Sequence, residues 1–123
     1  MNYTLLLYSD PTKFANLTQE DWAREQEVYG AYIGALQEAG VFVSTDWLQS
    51  VDTATTLSME NGKPRIQDGP FAETVETLGG YFVINVPDLD AAMAWAEKCP
   101  AAQYGKVEIR ASAMGGNEIG EGA

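Results

Sequence analysis

The sequence predicts an α+β fold: a ferredoxin-like split βαβ antiparallel sheet with an extra β-hairpin. Two segments, residues 3–48 and 80–112, each have the pattern strand, helix, strand. Between them, residues 55–68 have the pattern of a separate hairpin. Two such strand–helix–strand units interleave into one antiparallel sheet with both helices on one face, which is why the pattern favours this fold.

The first unit opens with an almost wholly apolar run over residues 3–8, typical of a strand buried on both faces. A helix follows, with Thr18 as its N-cap and Asp21 at the third helical position, the residue types of a capping box. Gly40 is the expected C-terminal stop, and residues 41–48 form the next predicted strand. Apolar residues recur along the helix at helical spacing: Trp22, Tyr29, Ile33 and Leu36.

The hairpin has the clearest local signal in the chain. Asn61-Gly62 separates residues 55–60 from residues 63–68, and this dipeptide suits a two-residue type I′ turn. Such a turn places Leu57 opposite Ile66, so turn chemistry and apolar pairing predict the same register.

The second unit begins with the strand 80–86, again apolar on both faces. Asp88 is the predicted N-cap of a helix that ends before Pro100, and residues 106–112 form the last strand. The expected apolar stripe of this helix consists of Leu89, Met93, Ala96 and Cys99.

Length and composition indicate one domain. The chain has 123 residues, and we expect a single domain over residues 1–112 followed by a flexible, glycine-rich tail over residues 113–123. The start of the chain lacks a basic secretory signal, no apolar run approaches a membrane span, and the one cysteine, Cys99, cannot form an internal disulfide. We therefore expect a cytoplasmic protein.

Charge and residue usage exclude several classes of function. The formal net charge is −11, which repels phosphate backbones and anionic lipids, so we expect neither nucleic-acid nor membrane partners. The chain has no histidine, which excludes histidine-based triads and the usual zinc sites. Acid–base chemistry would fall to carboxylates, tyrosines or lysines.

Strands that are apolar on both faces predict an interface. Two helices cover one face of a sheet, yet Leu6 and Val83 alternate with apolar neighbours that the helices already cover. A large apolar patch left exposed usually marks a contact surface. We therefore expect a homodimer in which two sheets meet face to face.

Three carboxylates surround a glycine–proline turn in the stretch D-G-P-F-A-E-T-V-E. They belong to Asp68, Glu73 and Glu76. If they converge, they raise one another's proton affinity and supply a catalytic acid or base near neutral pH. The alternative is structural: Asp-Gly-Pro is strong turn chemistry, and the glutamates would be solvated surface charges.

Five further residues are candidates for a binding pocket near this loop. Arg110 would hold an anionic group in a bidentate manner, or would be a salt-bridge partner of Glu108 or Glu73. The other four are aromatic and would line the pocket or belong to the core: Tyr8, Trp47, Phe71 and Tyr81.

Residues 68–81 also resemble a known family. D-G-P-F-A-E-T-V-E followed by L-G-G-Y is similar to the D-G-P-F-A-E-T-K-E motif of YCII-related (YciI-like) proteins. The opening strand, the segment P-D-L-D-A-A and the stretch V-E-I-R resemble the same family, so the similarity runs from about Tyr3 to Arg110.

The resemblance implies a ferredoxin-like fold of the dimeric α/β-barrel superfamily and a homodimer through sheet faces. The family's activity is largely unassigned, and members of the wider superfamily include small-molecule lyases, isomerases, dehalogenases and monooxygenases. YciI-type members are proposed to use a histidine–aspartate pair, but this chain has no histidine, and Val75 stands where the motif has lysine. Any related catalysis would use Asp68 with a neighbouring glutamate, or Tyr8.

Two functions from different classes therefore stay open. One is a cofactor-independent enzyme, of the lyase or isomerase type, that acts on a small organic molecule. The other is a non-catalytic dimeric module that binds a ligand or regulates a partner. We expect no cofactor and no metal ion in either case.

Overall fold

The structure is a computed structural model that describes residues 1–113. Apart from Ala113, the tail predicted to be flexible lies outside the described residues. The strands and helices in chain order are β1 (Asn2–Ser9), α1 (Gln19–Glu38), β2 (Phe42–Trp47), β3 (Thr55–Glu60), β4 (Lys63–Asp68), β5 (Thr77–Asn85), α2 (Leu89–Lys98) and β6 (Lys106–Ala111). Short 3₁₀ turns occupy Pro11–Phe14, Val51–Thr53 and Pro100–Gln103.

Four strands form one antiparallel sheet in the order β2-β5-β1-β6. Strands β1 and β5 are central, which agrees with their apolar sequences. The α+β prediction is confirmed, and the strand order is compatible with the ferredoxin-like arrangement. No helix within residues 1–113 is long and apolar enough to cross a membrane.

Helix α1 begins and ends where the sequence predicts. The Thr18 hydroxyl accepts from the Asp21 N–H at 3.1 Å, and the Asp21 carboxylate accepts from the Thr18 N–H at 3.0 Å, which completes the capping box. Gly40 adopts a left-handed φ of 72° just beyond the helix, as a glycine stop requires.

The core lies between the helices and one face of the sheet. Alternate residues of β1 and β5 point into it, and both helices contribute to the same cluster. Leu5, Leu36 and Ile84 are completely buried there, as is Cys99, which confirms that the cysteine is a core residue.

Helix α2 buries a different stripe from the predicted one. Ala92 and Ala96 are buried, whereas Leu89 and Met93 are 49% and 46% exposed. The predicted stripe was right at Ala96 and Cys99 and wrong at Leu89 and Met93, because the buried face of the helix is centred on its alanines. Its small alanine face lies toward the sheet.

The extra hairpin forms a separate two-stranded sheet of β3 and β4, hereafter the hairpin arm (residues 55–68). Its predicted register is confirmed, with Leu57 opposite Ile66. Asn61 and Gly62 both have positive φ, 51° and 77°, as a type I′ turn requires. All residues of β4 are exposed, so the arm contributes nothing to the core.

The face of the sheet opposite the helices, hereafter the open face, carries a half-buried apolar row. Leu6, Tyr8, Tyr81 and Val83 belong to it. Within residues 1–113 none of the four belongs to the hydrophobic cluster beneath the helices. In the single chain, the central strands β1 and β5 therefore carry apolar side chains on both faces of the sheet, as predicted.

Candidate functional site

A cleft of about 560 Å³ opens on the helix side of the sheet, beside the point where β1 ends. Helix α1 forms one wall, and the ends of β2 and β5 form the other. The Pro11–Phe14 turn lies at its mouth, while Leu7 and Phe82 contribute from the sheet. This volume falls in the range typical of sites for small organic molecules.

Besides Phe82 of the sheet, five aromatic side chains line the cleft, and we call these five the aromatic rim: Phe14, Trp22, Tyr29, Trp47 and Tyr104. Each is in contact with the next. The ring centroids of Tyr104 and Phe14 are 5.1 Å apart, and those of Phe14 and Trp22 are 6.3 Å apart. Trp47 lies 6.3 Å from Trp22 and 5.8 Å from Tyr29. The hydroxyls of Tyr29 and Tyr104, 2.7 Å apart, close the circuit.

Local structure explains how these residues meet. Trp22, Glu25 and Tyr29 are spaced i, i+3 and i+7, so they share one face of α1. Tyr104 reaches the cleft because Gly105 lets the chain pass close to β1. A Cβ on Gly105 would lie 2.0 Å from the Tyr8 carbonyl oxygen, so any larger residue would push this segment away.

A hydrogen-bond chain runs through the cleft from Tyr29 to Glu25. The Tyr104 hydroxyl donates to Glu25 Oε1 at 3.0 Å. Because that donation uses the only proton of the Tyr104 hydroxyl, Tyr29 must be the donor in the 2.7 Å contact between the two hydroxyls. The Tyr29 oxygen therefore keeps lone pairs free to accept a hydrogen bond from a bound molecule.

Burial and charge keep both hydroxyls protonated. Burial raises the pKa of Tyr29 to about 12, and the Glu25 charge adds to the effect. Burial also raises the pKa of Tyr104, and its hydrogen bond to the Glu25 carboxylate acts in the same direction. At neutral pH the pair is a neutral donor system that ends on a carboxylate.

The structure places the three predicted catalytic acids outside this cleft. Asp68 ends β4 and is exposed, and Glu73 is exposed in the following loop. Glu76 is half-buried and forms an ion pair with Lys106 of β6. The tertiary structure thus supplies Glu76 with a countercharge from a distant part of the chain. Residues 1–113 contain no group of three or more acidic, cysteine or histidine side chains placed to hold a metal ion.

The five predicted binding residues lie in three places. Trp47 belongs to the aromatic rim. Tyr8 and Tyr81 lie on the open face of the sheet, and Arg110, opposite Thr4 in β6, points to the same face. Phe71 is 85% exposed. The structure therefore brings only Trp47 to the cleft.

Sequence reasoning missed the chemistry-bearing residues of the cleft, Glu25 and Tyr104. Tyr29 and Trp22 were assigned to the apolar stripe of α1, but not to a site. A signal was present, because Glu25 interrupts that apolar stripe on the side of the helix that faces the sheet. Nothing local in the sequence marks Tyr104, whose role depends on a contact 79 residues away in the chain.

Comparison with known proteins identifies the family. A family model described as the YCII-related domain matches residues 1–112. This chain belongs to the YCII-related domain family. It is also 31% identical over 116 residues to an uncharacterized protein of Rhizobium meliloti (strain 1021), an alignment that covers 93% of this chain and 94% of the relative. The YCII-related domain therefore spans all the elements that build the cleft.

Proposed function

We propose that this YCII-related domain protein is a cofactor-independent enzyme that acts on a small organic molecule held in the cleft. One observation carries the proposal: a hydrogen-bonded Glu25–Tyr104–Tyr29 chain lines a cleft of about 560 Å³. A carboxylate linked to a hydroxyl inside an apolar cleft is suited to general acid–base catalysis. Isomerisation and elimination are reactions that such groups support.

The proposed proton path follows the hydrogen bonds. A bound molecule gives up a proton to the Tyr29 oxygen, and the Tyr29 proton moves to the Tyr104 oxygen. The Tyr104 proton moves to Glu25, which ends as the carboxylic acid. No free tyrosinate is needed, which matters because the pKa of both tyrosines is raised. The reverse movement returns a proton to the product.

We also propose that the protein is a homodimer that packs through the open face. Support comes from the half-buried row of Leu6, Tyr8, Tyr81 and Val83, which lies outside the core cluster of the described chain. The expected particle has twice the 13.3 kDa of one chain. Light scattering coupled to size exclusion that gives the single-chain mass at micromolar concentration would remove this part of the proposal.

The second candidate is a ligand-binding module without catalysis. The raised pKa of Tyr29 and Tyr104 favours it, because protonated hydroxyls recognise a ligand well without transferring a proton. The enzyme and the module differ in one measurable way: the enzyme converts a bound molecule that has an acidic C–H bond.

The test uses 5-nitrobenzisoxazole, a planar aromatic molecule that opens to a coloured phenolate when a base removes its ring proton. The proton leaves carbon, its electron pair completes a nitrile, and the N–O bond breaks. We expect the protein to exceed the rate of buffer carboxylate and Glu25→Gln to lower that rate at least about tenfold, as for loss of a general base. Tyr29→Phe should lower it as well, because it interrupts the path.

Two control variants are needed. One makes the same change of charge as Glu25→Gln outside the cleft, and the other removes the competing acid Asp68. Glu27→Gln, on the exposed side of α1, should leave the rate unchanged. The catalytic assignment of Asp68, Glu73 and Glu76 stays a prediction, and Asp68→Asn tests it. Loss of turnover in Asp68→Asn with full turnover in Glu25→Gln would move the chemistry to the loop. If the unsubstituted protein converts 5-nitrobenzisoxazole no faster than buffer does, the enzyme proposal is wrong and the ligand-binding module is the function that stands.

A further inference from the structure

We infer that the cleft selects an organic cation, a planar molecule with one positive charge beside or within its aromatic part. The inference rests on the proposed function, because it names the substrate class of the same cleft. Three features of the cleft carry it: the aromatic rim, the sign of the charges around it, and the place where its carboxylate lies.

The aromatic rim presents its rings as a continuous belt. Five aromatic side chains each contact the next, and Trp22 and Trp47 are 39% and 54% exposed although they are the largest apolar residues of the region. Exposed tryptophans that line a concavity leave their ring faces open to a ligand. A cation within about 6 Å of such a face is attracted by its quadrupole.

The charge of the cleft points in the same direction. Among the residues that the structure describes, 1–113, the acidic residues Glu25 and Asp46 line the cleft and no lysine or arginine does. Asp46 pairs with Tyr81 across β2 and β5, so its side chain points to the open face, as that of Tyr81 does. Glu25 is therefore the carboxylate that a ligand in the cleft would contact. An anionic molecule would meet a carboxylate that forms no ion pair within residues 1–113, and a net charge of −11 adds long-range repulsion.

Two basic residues near the cleft already have polar partners within the protein. Lys13 donates to the Tyr104 carbonyl oxygen at 3.1 Å, and Arg24 forms an ion pair with Asp21 of the same helix. Both line a smaller recess of about 320 Å³ that shares Phe14, Glu25 and Tyr104 with the cleft. Within residues 1–113 neither of them lines the cleft itself, so inside the cleft Glu25 and the aromatic rim decide the preference for charge.

The experiment compares three probes of similar shape and different charge: benzamidinium, benzamide and benzoate. Titrations are followed by the indole N–H signals of the three tryptophans in ¹⁵N-labelled protein, assigned with single Trp→Phe variants. Trp95 is an internal control, because it packs on Tyr32 and under Lys98, outside the cleft. We expect benzamidinium to shift the Trp22 and Trp47 signals with a Kd at least about tenfold below that of benzamide. Benzoate should bind most weakly.

A matched pair of variants separates the cleft from the overall charge of the protein. Glu25→Gln keeps an acceptor for the Tyr104 hydroxyl but removes the charge, and it should reduce the preference for benzamidinium severalfold. Glu27→Gln makes the same change of net charge on the exposed side of α1 and should preserve that preference. Equal losses in both variants would mean that only the long-range field acts, which overturns the inference.

The remaining outcomes distinguish the inference from the proposed function. If benzamide or benzoate shifts the same two signals with a Kd equal to or below that of benzamidinium, cation selection is wrong while the cleft remains a binding site. If no probe shifts Trp22 and Trp47, cation selection is also wrong. The turnover of 5-nitrobenzisoxazole and its loss in Glu25→Gln then decide the proposed function separately.

Discussion

The aromatic cleft and the hairpin arm both carry large apolar side chains but place them in opposite surroundings. The cleft gathers residues from α1, β2 and the segment before β6 around one concavity. The arm holds Leu57 and Ile66 on a two-stranded sheet, 60% and 65% exposed, although its turn and register follow the sequence closely. A well-defined turn and strand register therefore do not create a binding site. The cleft forms because segments that are distant in sequence converge.

A two-stranded hairpin with an exposed apolar face, such as the arm, is only marginally stable on its own. Its two ends are joined to each other at the base, where the Gly69 N–H donates to the Ala54 carbonyl at 2.7 Å and the Thr56 hydroxyl donates to the Gly69 carbonyl at 2.8 Å. These bonds orient the D-G-P-F loop, with Gly69 at a positive φ of 95°. The positive φ of Gly69 fits the turn chemistry of Asp-Gly-Pro, while the role of Asp68 stays a prediction.

The largest difference between the two regions should appear in stability. Leu36→Ala empties a completely buried position beneath α1 and should lower the free energy of unfolding by about 2–5 kcal/mol. Leu57→Ala makes the same chemical change on the exposed arm and should cost less than about 0.5 kcal/mol. Urea unfolding of both variants measures the two values. A cost above about 1.5 kcal/mol at Leu57 would contradict its exposure and indicate that another copy covers the arm.

A smaller effect is expected where backbone approaches backbone beside the cleft. Gly105→Ala places a Cβ 2.0 Å from the Tyr8 carbonyl oxygen, which cannot rotate away, so unfolding should become easier by about 2–3 kcal/mol. Gly34→Ala is the matched control, since no atom lies within 4 Å of its added Cβ and the helix gains up to about 1 kcal/mol. Thermal unfolding of the two variants should therefore shift in opposite directions. A neutral Gly105→Ala would mean that the Tyr104 segment is free to move.

The smallest effect concerns pH. Burial raises the pKa of Tyr29 from its ordinary 10 to about 12, so the folded protein holds this proton more tightly than the unfolded chain. The corresponding stability is fully present below pH 10 and is lost as the pH rises toward 12. Tyr29→Phe should flatten the fall of the unfolding free energy in that window. Tyr32 and Tyr104, whose pKa values are also raised by burial, preserve part of the fall. Identical slopes in Tyr29→Phe and the unsubstituted protein would contradict the burial of its hydroxyl.

Much of the fold could be predicted because its signals are local. The capping box of α1, the type I′ turn and the register of the arm each depend on residues that are neighbours in sequence. The strand–helix–strand order of the two units predicted the α+β class for the same reason. The stripe of α2 was misplaced because alanines and larger apolar residues compete along that helix, and only its packing against the sheet decides which are buried.

The candidate site could be predicted only at Trp47. Motif strength drew attention to Asp68 and its neighbours, where turn chemistry and acidic residues coincide. Glu25 had a weak signal, an acid within an apolar stripe. Tyr104 had no local signal, because the residue that closes the aromatic rim comes from the opposite end of the chain and acquires its partners on folding.

By itself the sequence determined the α+β class, the family resemblance, the ends of α1 and the register of the hairpin arm. It did so because short-range sterics and hydrogen bonding decide those features. The tertiary structure alone decided which acid lies beside aromatic side chains and which tyrosines form a hydrogen-bond chain with it. It also decided which basic residues have partners outside the cleft lining. Those properties depend on distances between segments that only the packing of helices on the sheet sets.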